Sequence, residues 1–93
     1  MALSAVHVFD ASSPWRLSDQ VSLRDEAFGA LAYHHGNRRL VFLKSPELVA
    51  LVRSLEEFES ADEAIDAAVA SGQHQRYVQA LSSLFNSEIL CGR

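Results

Sequence analysis

The hydrophobic period changes abruptly inside RRLVFLKSPEL, residues 38–48. Residues 39–43, RLVFL, carry a continuous apolar run of the length expected for a strand. Lys44 then leads directly to Ser45, a favoured helix N-cap, and Pro46, a favoured first helical residue. Leu48, Leu51, Val52 and Leu55 continue on one helical stripe, so a helix is expected over about residues 46–57. A strand and a helix joined by so short a link must pack in adjacent layers, and this junction sets the class of the domain.

The residues before the junction extend the sheet. QVSLRD, residues 20–25, alternates Val21 and Leu23 with polar neighbours, and FGALAYH, residues 28–34, is a second strand. Within it Gly29 marks either a bulge or the close approach of another group. HGNR, residues 35–38, offers Gly36 and Asn37 for the positive φ angles of a tight hairpin leading into RLVFL. Three strands joined by short turns predict an antiparallel meander.

The residues after it read as helices. Ser60 and Glu63 form a capping-box pair, and Ala64, Ile65 and Ala68 give a second helix a narrow apolar face before a stop at Ser71-Gly72. Tyr77, Val78, Leu81, Leu84 and Phe85 define a third helix over about residues 74–87, with Ile89 and Leu90 folding back onto the core. The expected fold is therefore α+β and winged-helix-like, a three-stranded antiparallel sheet followed by three helices, β-β-β-α-α-α. Trp15, after a Ser-Ser-Pro turn, either staples the preceding segment to this core or is an exposed anchor for a partner. Residues 1–13 read as a flexible arm whose VHVF segment, residues 6–9, is able to add a short strand elsewhere, and residues 14–93 as the domain.

Size and charge narrow the function. A chain of 93 residues supports one core that buries somewhat over ~60% of the unfolded surface. With 48% hydrophobic and 22% charged residues it should fold rather than remain disordered. Eight Lys and Arg against 12 Asp and Glu give a net charge of −4, which disfavours nucleic acid as a partner. No run approaches the roughly 18–20 apolar residues that span a bilayer, so no membrane association is expected. The single Cys91 offers neither a disulfide framework nor a thiolate metal site and suits a reducing, cytoplasmic setting.

Catalytic or metal chemistry is not visible. His34 and His35 are strand neighbours that point to opposite faces, and His7 and His74 have no carboxylate at ligand spacing, so no metal site is expected. Glu56, Glu57, Glu59, Asp62, Glu63 and Asp66 read as a solvated acidic face rather than an acid-base pair. No phosphate loop, nucleophile elbow or Cys-His pair is present, so the chain is not expected to be an enzyme or to hold a cofactor. The one provocative element is RLVFL itself. As an edge strand it invites pairing with another chain. Arg38, Arg39 and Lys44 either blunt that edge or attract an acidic peptide onto it, and sequence physics alone supports both readings equally.

PWRL at residues 14–17, QVSLRDEAFGALAYHHGNRRLVFLKSPEL at residues 20–48 and the helices that follow resemble the mycofactocin-system peptide chaperones. These are a PqqD-like family of the recognition elements that serve ribosomally made, post-translationally modified peptides. The resemblance covers about residues 14–91 and is most specific over residues 21–48. It implies a non-catalytic protein that binds the mycofactocin precursor peptide through its leader region and presents it to a radical S-adenosylmethionine maturase. That partner, which carries the iron-sulfur clusters, modifies the Val-Tyr end of the precursor by oxidative decarboxylation and crosslinking.

In such recognition elements the leader adds a strand to the third β-strand, in the cleft beside the third helix. Carried onto this chain, the resemblance assigns Arg39, Leu40, Val41, Phe42, Leu43 and Lys44 to the strand side and Tyr77, Val78, Leu81 and Phe85 to the helix side. Which side chains face the groove stays open, because a one-residue register shift exchanges strand faces. An open edge and an N-terminal arm also permit a dimer by strand or arm exchange. The rival readings are a DNA-binding winged helix, for which Arg76 is the only basic residue between 75 and 87 of the third helix, and a structural adaptor that holds the maturase without touching the peptide.

Overall fold

The computed structural model describes residues 9–93. In chain order it contains β1 (Trp15–Leu17), β2 (Val21–Glu26), β3 (Gly29–His34), β4 (Leu40–Leu43), α1 (Pro46–Ser54), α2 (Ala61–Ala68), α3 (His74–Asn86) and β5 (Leu90–Gly92). The expected meander is present as an antiparallel sheet in the order β2-β3-β4, followed by three helices. The sheet arrangement differs from expectation in one respect: β1 and β5 form a second, two-stranded antiparallel sheet that ties the two ends of the domain together.

Alternation along the strands builds the core. Ala30, Ala32 and Leu43 have no exposed surface and share the inner face of the sheet. The two alanines leave room for α1, which packs over β3 with Leu51 and Val52 buried. Ile65 of α2, Leu81 and Leu84 of α3, and Ile89 complete the same core.

The caps agree with the sequence at the helix starts and differ at two turns. Ser45 Oγ accepts the amide of Leu48, and Ser60 Oγ that of Glu63, each at 3.1 Å. In the HGNR turn the positive φ falls on Arg38, at 65°, rather than on Gly36 or Asn37. The cause is His34, buried to 7% exposure, whose Nδ1 accepts the amides of both Gly36 and Asn37 at 3.0 Å. His34 also receives the Arg38 amide at its carbonyl and donates its own to Arg39, so two residues oppose one and the turn closes in a bulge. The first helix runs to Ser54 and tightens into a 3-10 turn over Leu55–Glu57. The second ends at Ala68, before the expected Ser71-Gly72 stop, because Val69 turns extended and packs onto the core.

Trp15 is a core residue, 8% exposed, with its indole N–H donated to the Asp10 carbonyl at 2.7 Å. Its ring stacks on Phe9 at 5.0 Å and meets the edge of Phe85 at 5.1 Å. Residues 9–13, expected to belong to a loose arm, are tied down: Ala11 and Ser13 carbonyls accept the amides of Asp62 and Ala61 at the start of α2. The rest of the proposed arm, including most of the VHVF segment, lies outside the described residues.

Candidate functional site

Among the described residues β4 pairs only with β3, so its other edge is open. The His34 amide bonds to the Arg39 carbonyl, and in an antiparallel ladder the hydrogen-bonded residues alternate. Arg39, Val41 and Leu43 therefore direct their backbone groups to β3. Leu40 and Phe42 direct theirs outward, leaving an N–H and a C=O on each for a further strand. Both ends of this short edge are fixed. The His34-capped bulge sets its start, and Gly29, at φ 152°, holds its end, because a Cβ there would collide with the Leu43 carbonyl.

α3 meets the residues that flank β4 on either side and runs antiparallel to it. At one end Arg39 donates to the Asn86 carbonyl at 3.5 Å; at the other Lys44, Ser45 and Leu48 share a pocket of about 160 Å³ with Arg76, Tyr77 and Ala80. Strand and helix thus bound a cleft. A larger cavity of about 500 Å³, lined by His34, Phe85, Asn86 and Glu88 among others, adjoins the Arg39 end through Asn86. We take the smaller pocket as the candidate site, because it lies where the chain leaves the open-edged β4 through Lys44 and Ser45.

The residues predicted for this cleft separate into groups. Lys44 and Tyr77 meet in the pocket, whereas Val41 is half-buried on the inner face of the sheet, opposite Ala32, and does not line it. Leu43 and Leu81 have no exposed surface and belong to the core, so their side chains do not line a guest groove. Leu40 and Phe42 point to the outer face of the sheet and are 55% and 54% exposed. Val78 packs half-buried against the core, and Phe85 turns away from β4 to Trp15 and Phe9. Sequence reasoning missed Ser45, Leu48, Arg76 and Ala80. Ala80 was recoverable, since it lies three residues after Tyr77 and so on the same helical face.

Charge is distributed unevenly around this cleft. Arg16, Arg24 and Arg53 are paired with Asp19, Glu26 and Asp25. Arg38 and Arg39 at one end of the cleft, and Lys44 and Arg76 at the other, form no ion pair among the described residues. At the first residue of α3, His74 is held between Asp62 at 2.7 Å and Asp66 at 2.8 Å. The hydrogen bond to Asp62, then that to Asp66, raises its pKa above the ordinary histidine value. Among the described residues no cluster of His, Cys, Asp and Glu is placed to hold a metal ion, and no helix is long and apolar enough to cross a membrane.

The family model for the peptide chaperone MftB family matches residues 14–91. The chain belongs to this family. Three relatives bear the name peptide chaperone MftB. That of Mycobacterium ulcerans (strain Agy99) is 43% identical over 90 residues, covering 96% of this chain and 83% of the relative. That of Mycolicibacterium smegmatis (strain ATCC 700084 / mc(2)155) is 46% identical over 83 residues, covering 88% and 81%. That of Mycobacterium tuberculosis (strain ATCC 25618 / H37Rv) is 41% identical over 86 residues, covering 91% and 79%. No solved structure gives a significant match. Membership in the MftB family bears out the resemblance carried by residues 14–91. It also places the β4-α3 cleft in a chain whose relatives are named for handling peptides.

Proposed function

We propose that this chain is a non-catalytic, cytoplasmic peptide chaperone of mycofactocin biosynthesis. It binds the leader region of the precursor peptide as an added strand on β4 and presents it to a radical S-adenosylmethionine maturase. The observation that carries this reading is the edge of β4, open among the described residues, with four cations that form no ion pair among those residues at the two ends of its cleft, in a chain of net charge −4. An extended acidic peptide meets both requirements: its backbone completes the ladder, and its carboxylates approach Arg38, Arg39, Lys44 and Arg76.

Magnitudes define what the peptide must supply. Four backbone hydrogen bonds, from the two outward-pointing residues, contribute about 1 kcal/mol each. Association costs at least ~4 kcal/mol, and ordering a disordered segment a further ~2–5 kcal/mol. Backbone pairing alone therefore does not hold the guest. Side chains of the leader entering the Leu48-Tyr77-Ala80 pocket and charges at its rim must supply the remainder, which makes binding selective for sequence.

Calorimetric titration of the purified chain with the full-length precursor, and with a precursor lacking its leader, tests the proposal. Saturable binding of the first alone is expected, weakening as salt rises. If neither binds, repeating the titration with the maturase present decides between a chaperone that reads peptide only in the ternary complex and one that never touches it. Complex formation with duplex DNA at low salt would favour the winged-helix rival instead.

A further inference from the structure

Phe28, Tyr33, Leu40 and Phe42 are the exposed large hydrophobics among the described residues. Apolar residues scattered singly over a surface require no explanation, but these share one place. Tyr33 pairs with Leu40 and Leu31 with Phe42 across β3 and β4, on the face opposite Ala30, Ala32 and Leu43. Phe28, from the β2-β3 turn, meets Phe42 edge-on with ring centroids 5.9 Å apart. Edge strands are ordinarily protected by charge on their exposed positions; here the outward positions of β4 are Leu40 and Phe42, and the cations stand beyond its ends.

We propose that this outer face is a second reading surface for the guest peptide, so that the strand added to β4 is selected on both of its faces. The inference rests on strand addition at β4. Side chains of an added strand alternate between faces. Those pointing inward enter the cleft beside α3. The residues opposite Leu40 and Phe42 point outward, with Cβ atoms about 5 Å from theirs. Leu40 and Phe42, backed by Tyr33, Leu31 and Phe28, form an apolar platform for two such side chains. The guest is then a segment with large aliphatic or aromatic residues at two outward positions, i and i+2, in addition to its inward ones. A guest that alternates apolar and polar residues fills the cleft but leaves the platform exposed to water.

The test is leader-peptide titration of wild type, Leu40→Ser and Phe42→Ser, with each leader residue also replaced singly by Ser. Both protein variants alter half-exposed side chains and should keep the wild-type circular dichroism, with a slightly lower melting temperature for Phe42→Ser, which loses its ring contact with Phe28. Each is expected to bind the leader about tenfold more weakly. Two leader positions, two residues apart, should lose affinity against wild type and lose little more against the matching protein variant. If wild type binds the leader and both variants bind equally well, the outer-face reading is wrong while strand addition stands. If wild type binds the leader neither alone nor with the maturase present, strand addition fails and this inference falls with it. If the variants turn a dimer into a monomer with affinity unchanged, the face joins two copies of the chain and does not read the peptide.

Discussion

The two walls of the cleft are held by different physics. The strand wall, β4, is fixed through backbone chemistry at both ends: the His34-capped bulge with Arg38 in the left-handed region, and the approach of Gly29 to the Leu43 carbonyl. The helix wall, α3, is fixed along its length by Leu81 and Leu84. Its far end is closed by amides of Glu88 and Ile89 bonded back to Phe85 and Leu84, and its near end by the ionic clasp of His74 with Asp62 and Asp66. A short strand has too few side chains to locate itself by packing, so its position is written into turns. A helix of 13 residues has a stripe to pack, and its termini take what remains.

Both walls share the core, and the largest effects should fall there. Leu43→Ala on the strand and Leu81→Ala on the helix should each cost about 2–5 kcal/mol, read as a fall in the denaturation midpoint. Against a typical domain stability of about 5–15 kcal/mol this is a large fraction. Leu81→Glu would unfold the chain and reveal nothing about peptide binding. A loss under 1 kcal/mol at either position would mean that the wall concerned is not anchored where its burial indicates.

Gly29→Ala strikes the strand wall through the backbone alone. At φ 152° a side chain is strained, and the added Cβ meets the Leu43 carbonyl and the Ser45 amide. A cost of at least about 1–3 kcal/mol is expected from the backbone strain, the clash adding to it, with hydrogen exchange rising first at the amides of β3 that pair with β4. The same substitution at Gly72, which has open space around it, is the control.

The next effect has the opposite sign and occurs in both walls. Arg38 and Glu88 each have φ of 65°. Glu88 occupies the position after the helix cap where glycine is commonest, and its amide and that of Ile89 make the two bonds of a Schellman motif. Glycine at either place relieves the left-handed strain at some cost in unfolded-state entropy, for a net gain of about 0.5–1 kcal/mol. Arg38→Gly should also weaken leader binding in low salt, since it removes a cation from the cleft. A variant more stable yet poorer at binding would separate what the turn does for the fold from what its side chain does for the guest.

How much of this was legible follows from the same division. The three strands, the Ser45-Pro46 helix start, the Ser60 cap and the apolar stripe of α3 are local patterns, and the sequence displays them. The β1-β5 sheet is not local: WRL and LCG are three residues each, too short to alternate visibly, and they pair from opposite ends of the domain. The HGNR turn misled because its decisive group is the ring of His34, one residue before the turn signal. The cleft was legible as a strand and a helix but not as faces. Only the register with β3 turns Leu43 inward and Leu40 and Phe42 outward, and only the helix-strand approach brings Arg76 and Ala80 to Lys44.

The smallest effect belongs to the near end of the helix wall and should depend on pH. When His74 is protonated both ring nitrogens donate, Nε2 to Asp62 and Nδ1 to Asp66, joining the first residue of α3 to two carboxylates one turn apart on α2. These bonds raise its pKa above the 6.5 of a free histidine. A raised folded-state pKa gives a contribution that is fully present below 6.5 and disappears as pH rises through the folded value. Melting of wild type and His74→Gln should therefore differ at a pH just below 6 and converge as the solution turns alkaline. Because the clasp lies at the surface, salt should narrow the difference as well. A gap that stays the same across that range would show that His74 holds α3 by neutral hydrogen bonding or packing. The pocket that begins with Arg76 and Tyr77 would then be as insensitive to pH as the strand wall it faces.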